Sequence, residues 1–174
     1  KIVVLYRAED NSAQGIGKRT SRIGYAESTD GVTMSQADAP VLFPSEDDFK
    51  EIEWEGGCED PRVAMTEDGL YVMLYTAWNR NLPRLAVATS RDLKNWTKHG
   101  LAFAKAKDGR LVIEKVAGKY FMYWGENAVC AATSDNLTDW APVLNENNEL
   151  REIAKPRNGY FDSRLTECLS LIHI

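Results

Sequence analysis

Three stretches of this chain repeat one pattern, a short apolar strand that ends at a serine and a polar turn. They are Ser21 to Met34 (S-R-I-G-Y-A-E-S-T-D-G-V-T-M), Pro83 to Trp96 (P-R-L-A-V-A-T-S-R-D-L-K-N-W) and Asn127 to Trp140 (N-A-V-C-A-A-T-S-D-N-L-T-D-W). The second and third follow a further strand, G-L-Y-V-M-L-Y from Gly69 to Tyr75 and G-K-Y-F-M-Y from Gly118 to Tyr123. Ser28, Ser90 and Ser134 stand 62 and 44 positions apart, and repeats of roughly 40 to 50 residues made of short strands indicate propeller blades. The longer first interval then holds an insertion, from about Ala37 to Gly57, that carries the acidic run Glu46 to Asp48 and the aromatics Phe49 and Trp54.

No amphipathic helix is legible. The apolar stretches are short, rich in Val, Tyr, Phe and Met, and punctuated by Asp-Gly at 30–31, 68–69 and 108–109, all signals of strands and tight turns. A parallel α/β enzyme would need helices of about ten residues or more between its strands. An immunoglobulin-like sandwich would leave the repeated S-x-D-L-x-x-W unexplained. The fold expected is therefore all-β, a partial β-propeller with about three blades present. Three blades cannot close a ring, so two raw blade edges are expected. Trp96 and Trp140 recur at equivalent positions and are expected to pack between blades. Trp54, Trp78 and Trp124 lie at strand ends or loops, where an aromatic floor for a sugar ring is an alternative to packing.

The 174 residues carry 26 acids against 21 bases, a net charge of -5 with no basic run, which gives a nucleic-acid or anionic-membrane partner no support. An uncharged or weakly charged ligand fits better. Cys58, Cys130 and Cys168 are an odd number without C-x-x-C spacing, so structural thiols are expected rather than a disulfide framework or zinc site. The two histidines, His99 and His173, offer little to a triad. No cofactor and no metal are expected. Lys1 leads straight into the apolar run Ile2 to Tyr6, which reads as mid-strand, and Leu169 to Ile174 (L-S-L-I-H-I) reads as a translated sequencing adapter. Residues 1–168 are thus expected to be an incomplete catalytic propeller and 169–174 a scar.

The stretch Gly56 to Val63, G-G-C-E-D-P-R-V, packs two adjacent carboxylates, a proline and an arginine behind paired glycines. Glycines open backbone conformations closed to other residues, Pro61 restrains Asp60 before it, and Arg62 could orient a carboxylate. This suits a catalytic acid on a rigid turn, the alternative being a structural Asp-Arg pair.

With that turn, Y-T-A-W-N-R at Tyr75 to Arg80, Y-W-G-E at Tyr123 to Glu126 and K-P-R-N-G-Y-F-D-S-R-L-T-E-C at Lys155 to Cys168, the chain resembles glycoside hydrolase family 130, from Y-R-A-E-D at Tyr6 onward. The resemblance implies a five-bladed propeller with a mannose-containing oligosaccharide in its central funnel, cleaved at β-mannosidic linkages with inversion. It implies that Asp60 is the general acid, passing its proton through a sugar hydroxyl.

In that family, phosphorylases line the far side of the anomeric carbon with basic residues that hold inorganic phosphate, and hydrolases place glutamates there to activate water. Glu126 and Glu167 match the second pattern, with Glu126 as base and Glu167 assisting. An inverting β-mannosidase, acting on β-1,2-linked mannosides, is therefore the leading expectation. Inversion by water would set the Asp60 and Glu126 carboxyls about 6.5 to 9.5 Å apart, or more with a hydroxyl relay. The alternatives are a mannoside phosphorylase that yields mannose 1-phosphate and a non-catalytic glycan-binding propeller. Arg7, Arg22, Arg80, Lys155 and Arg157 fall inside matching motifs and keep phosphorolysis in view. Asn79 and Asp162 are placed to bond sugar hydroxyls or, alternatively, their own turns. The segment between Phe103 and Lys119 is shorter than the resemblance leads one to expect, which puts sugar contacts from that blade in doubt.

Overall fold

The computed structural model describes residues 1–11, 13–15, 18–103 and 109–168. The adapter-like residues 169–174 and the centre of the short stretch, 104–108, lie outside the described residues. The chain runs β1 (Ile2–Glu9), β2 (Ser21–Ser28), β3 (Ser35–Gln36), α1 (Lys50–Glu53), β4 (Gly57–Met65), β5 (Tyr71–Trp78) and β6 (Pro83–Ser90). It continues through β7 (Thr97–Leu101), β8 (Gly109–Val116), β9 (Lys119–Trp124), β10 (Val129–Ser134), β11 (Ala141–Pro142) and β12 (Glu152–Ala154). The expectation of an all-β chain holds: the one helix among the described residues is the four-residue α1. The strands form antiparallel meanders, β1-β2-β3, β4-β5-β6-β7 and β8-β9-β10-β11, with β12 on the outer side of β10. The first two meanders join through one parallel pairing of β2 with β4, Ser21 opposite Gly57.

The repeated turn explains the repeated sequence. In each copy the buried serine hydroxyl accepts the backbone N–H three residues on, from Gly31, Leu93 and Leu137, at 2.9 Å in all three. The side chain two residues after the serine then accepts the next pair of N–H groups. Asp30 takes those of Val32 and Thr33, Asp92 those of Lys94 and Asn95, and Asn136 those of Thr138 and Asp139. These donors satisfy a backbone that would otherwise leave polar groups unpaired. They also hold the Asp30 and Asp92 carboxyls well below the usual carboxylate range. The third position of the turn is left-handed in every copy, with φ +80° at Gly31, +66° at Leu93 and +70° at Leu137. Trp96 and Trp140 close the turns by donating Nε1–H to the Leu93 and Leu137 carbonyls at 3.0 Å. As expected, each packs against a core.

There are two cores, and β5 and β6 belong to both. Side chains alternate faces along a strand. Val72 and Leu74 of β5 with Leu85 and Val87 of β6 therefore face Met122, Trp124, Cys130, Ala132 and Leu137 of the third meander. Met73, Tyr75 and Ala77 with Ala86 and Ala88 face Ile23, Leu42 and Cys58 on the other side. The middle meander is thus a double-faced layer, which accounts for its near-continuous apolar sequence. By contrast, β1 leaves Ile2 and Val4 exposed at the outer edge, in keeping with an open strand edge.

Candidate functional site

Strand register gathers the candidate residues near strand ends within each sheet. The end of β1 at Glu9 pairs with the start of β2 at Ser21, Ser21 pairs with the start of β4 at Gly57, and Gly57 pairs with the end of β5 at Trp78. In the second sheet, Gly109 at the start of β8 pairs likewise with Trp124 at the end of β9. Asp10, Asp60, Asn79, Arg80 and Glu126 all lie at or just past these strand ends.

Both glycines of the acid turn are required by their neighbours. Ser21 N–H donates to the Gly56 carbonyl at 2.7 Å, and a Cβ on Gly57 would fall 2.0 Å from the Ser21 carbonyl oxygen. Gly57 also holds φ +112°, and a Cβ on Gly56 would fall 2.0 Å from Trp78 Cδ1. No other side chain permits that approach. The ladder to β5 then breaks: Glu59 pairs with Thr76 and Arg62 with Leu74, so Asp60 and Pro61 oppose Tyr75 alone. This is a β-bulge, a device that re-aims a side chain. Asp60 sits at its crest with φ +50°, a left-handed conformation that a non-glycine residue holds only when its surroundings impose it.

The arginine that meets Asp60 is Arg7, from β1, and not its neighbour Arg62, whose guanidinium donates to the Pro61 carbonyl. The extra residue of the bulge upsets the period-2 alternation between 60 and 62, so closeness in sequence gave no contact. Arg7 Nη1 lies 3.4 Å from Asp60 Oδ1, and Nη2 lies 2.9 Å from Glu59 Oε1 and 2.7 Å from Glu9 Oε1. Arg7 Nε–H donates to the Ser21 hydroxyl, which donates in turn to Glu59 at 2.9 Å. Burial pushes the Glu59 carboxyl above its ordinary value against the pull of Ser21 and Arg7. Bonding to Arg7 holds Glu9 below its own. One cation is thus shared by three carboxylates around the acid turn.

The remaining candidates are held locally. Arg22 pairs with Asp10 at 2.6 Å, and Arg80, at φ +63°, pairs with Glu55 at 2.7 Å and donates to the Lys18 carbonyl. Asn79 builds a turn, its Oδ1 accepting the N–H groups of Asn81 and Leu82 while its amide donates to the Glu51 carbonyl. Lys155 pairs with Glu152 at 3.1 Å and Arg157 with Asp162 at 2.8 Å. Asp162 keeps its second oxygen, Oδ1, buried and without a hydrogen-bond partner.

The structure does bring Glu126 and Glu167 together. Past β9 the chain turns through Gly125 (φ +115°) and Asn127 (φ +73°), and Glu126 forms an isolated antiparallel bridge with Glu167. Thr166 fastens that contact by donating its hydroxyl to the Asn127 carbonyl at 2.9 Å. Of the tryptophans weighed as a sugar floor, Trp124 is buried and stacks on Phe103 at 4.6 Å, which makes it core. Trp78 is half-buried against Gly56, and Trp54 is 45% exposed. Ser21, Glu9 and Glu55 were not anticipated beside the candidates, because their contacts arise from strand pairing across distant sequence; the sequence marks Glu59 only as the second carboxylate of the acid turn.

A family model described as beta-1,4-mannooligosaccharide phosphorylase, the glycoside hydrolase family 130 model, matches residues 1–168. The chain is 36% identical over 150 residues to a 1,2-beta-oligomannan phosphorylase of Thermoanaerobacter sp. (strain X514), covering 81% of this chain and 49% of that protein. It is 35% identical over 134 residues to a beta-1,2-mannobiose phosphorylase of the same organism, covering 71% of this chain and 42% of the relative. A solved structure superposes with TM-score 0.89 at 55% identity, over 95% of this chain and 52% of that one. Its description reads "The GH130 family of mannoside phosphorylases contains glycoside hydrolases that target beta-1,2 mannosidic linkages in Candida mannan". The chain therefore spans about half the length of the relatives it matches.

These relatives overturn the leading expectation of an inverting β-mannosidase, since both curated proteins are phosphorylases. The expectation rested on the charge of two glutamates. The candidate residues also include Arg7, Arg22 and Arg80, so the sign of one pair does not set the field that an incoming anion meets.

Proposed function

The chain belongs to glycoside hydrolase family 130, and we propose that the full-length protein is a β-mannoside phosphorylase of which this chain supplies the acid side. The three meanders are three blades of a five-bladed propeller, and the Asp60 turn faces its central funnel. The observation that carries the reading is the Asp60 bulge, left-handed and gripped by Arg7, within a chain matched from residue 1 to 168 by a phosphorylase family.

Asp60 acts as general acid, giving its proton through a hydroxyl of the bound sugar to the glycosidic oxygen as the C1–O bond breaks. An oxygen of inorganic phosphate attacks C1 from the opposite face. The products are α-mannose 1-phosphate and a mannoside shorter by one residue. Arg7, 3.4 Å away, holds the Asp60 carboxyl in place. Arg22, Arg80, Lys155 and Arg157 are the candidates to grip phosphate or sugar oxygens, exchanging their carboxylate partners for ligand. Asn79, Asp162, Glu126 and Glu167 are the candidates to bond sugar hydroxyls.

The deciding experiment incubates the full-length protein with β-1,2- and β-1,4-mannobiose, with and without phosphate, and resolves the products. Mannose 1-phosphate formed only in the presence of phosphate is expected. Free mannose released at the same rate without phosphate would overturn the proposal.

A further inference from the structure

The insertion between the first two repeats is anchored by a buried charge cluster that the acid turn does not use. Glu53, the last residue of α1, has no exposed surface and lies 2.6 Å from Lys98 Nζ, while the Tyr75 hydroxyl donates to its other oxygen at 2.7 Å. Lys98, its side chain 9% exposed, also meets Asp47 at 2.9 Å and donates to the Phe43 carbonyl at 2.8 Å. One ammonium from β7 thus ties three points of the insertion to the middle meander. Buried ion pairs seldom raise stability above that of an apolar substitute, because desolvation offsets their attraction, and fixing one conformation is their better-attested use.

The residue so fixed is Trp54. Directly before it Glu53 is locked, and directly after it Glu55 pairs with Arg80 while its carbonyl accepts the Thr20 hydroxyl at 2.9 Å. Gly56 and Gly57 then press against Ser21, which touches both Glu59 and Arg7 of the acid turn. The backbone that carries a large aromatic, left 45% open to solvent, is thereby held on both sides, six positions before Asp60. An indole on a held backbone has only its own two side-chain torsions to order on binding, and it offers a flat apolar face with a polar N–H edge, which suits the C–H face of a pyranose. We infer that Trp54 is a stacking platform for a mannosyl ring of the substrate, set in place by the buried Glu53–Lys98 pair. The Glu55–Arg80 pair directly after it is the polar group offered to the ring's hydroxyls.

This inference rests on the mannoside reading but not on the choice of nucleophile, so its test is binding. Titration calorimetry of the full-length protein with β-1,2-mannobiose and mannotriose, without phosphate, should show Trp54→Ala binding at least one of them about tenfold more weakly, the equivalent of about 1.4 kcal/mol. Trp54→Phe should recover most of that loss. Lys98→Met should weaken binding in the same direction and raise the acrylamide quenching of Trp54, read against a Trp54→Phe background. Should Lys98→Met fail to fold, Tyr75→Phe, which keeps the ion pair, carries the same comparison with a smaller shift. Unchanged affinity for both sugars in Trp54→Ala would overturn the platform. A wild-type protein that binds mannobiose through Trp54 yet forms no mannose 1-phosphate would instead overturn the phosphorylase reading and leave the platform standing.

Discussion

The two groups of candidate residues, around Asp60 and around Glu126, are built to different standards. The acid turn is braced from every side, with Gly57 pressed against Ser21, a bulge enforced by β5, and a shared arginine across Glu9, Glu59 and Asp60. The Glu126 side is tied by its backbone bridge to Glu167 and by the Thr166 hydroxyl on the Asn127 carbonyl, with a stretch of largely exposed residues leading into it from β12. A proton donor must hold its position to within tenths of an ångström, whereas groups that bond sugar hydroxyls can adjust as the ligand arrives. On the proposed reading, Asp60 is a donor already held in place, whereas Glu126 and Glu167 are groups freer to adjust to a ligand.

The sharpest way to break the contrast is to remove the acid. Asp60→Asn should lower turnover of a mannoside with a poor leaving group by about 10²- to 10⁴-fold at unchanged thermal midpoint, while Glu126→Gln should cost less and act mainly on KM. Steady-state kinetics on both variants decides, and equal losses would erase the distinction. Next, Lys98→Met strands the fully buried Glu53 carboxylate and should cost about 3–5 kcal/mol by urea unfolding.

Glycine replacements compare the two groups directly. In Gly57→Ala the new methyl meets the backbone of another strand at 2.0 Å, whereas in Gly125→Ala it meets the Ala128 carbonyl at 2.4 Å, within its own turn. Both positions have positive φ. Gly57→Ala should therefore destabilise by about 3 kcal/mol or more and Gly125→Ala by about half as much, since a local turn yields more easily.

A smaller effect separates the repeats by acid. Asp30 and Asp92 have depressed carboxyl pKa values in the folded state, and Glu27, bonded by Lys1 and Tyr25, is lowered to about 2. A depressed carboxyl contributes stability that is fully present above its unfolded value, about 4, and is lost as pH falls through the folded one. The third turn uses Asn136 and has nothing there to titrate. Between pH 4 and about 2, amide exchange at Val32 and Lys94 should accelerate before exchange at Thr138; simultaneous loss would show that the turns do not open independently.

Much of this was legible in the sequence because each recurring residue has a hydrogen bond to make. Ser28, Ser90 and Ser134 each accept a backbone N–H, and Trp96 and Trp140 each cap a carbonyl, so their spacing could be read as strand and turn. The glycine pair and Asp-Pro likewise announced a constrained acid turn. What stayed hidden was pairing at a distance. Arg7 reaches Asp60 across 53 positions and Lys98 reaches Glu53 across 45, with no periodicity to betray either. Trp124 and Trp54 look alike as aromatics at strand ends, and only packing sends one into the core and the other to the surface. The choice between water and phosphate was beyond reach for a different reason. It depends on the summed field of several paired charges, and two glutamates were too few to fix its sign.

The alternation along β5 leaves the molecule with little slack. Its even and odd positions serve separate cores, so inserting one residue in the strand would exchange the occupants of both at once. Neither flanking meander could then be repaired alone. The Asp60 turn is paired to β5 through β4, and the end of β9 that precedes Glu126 packs on one face of β5, so a change in this one strand is felt at both.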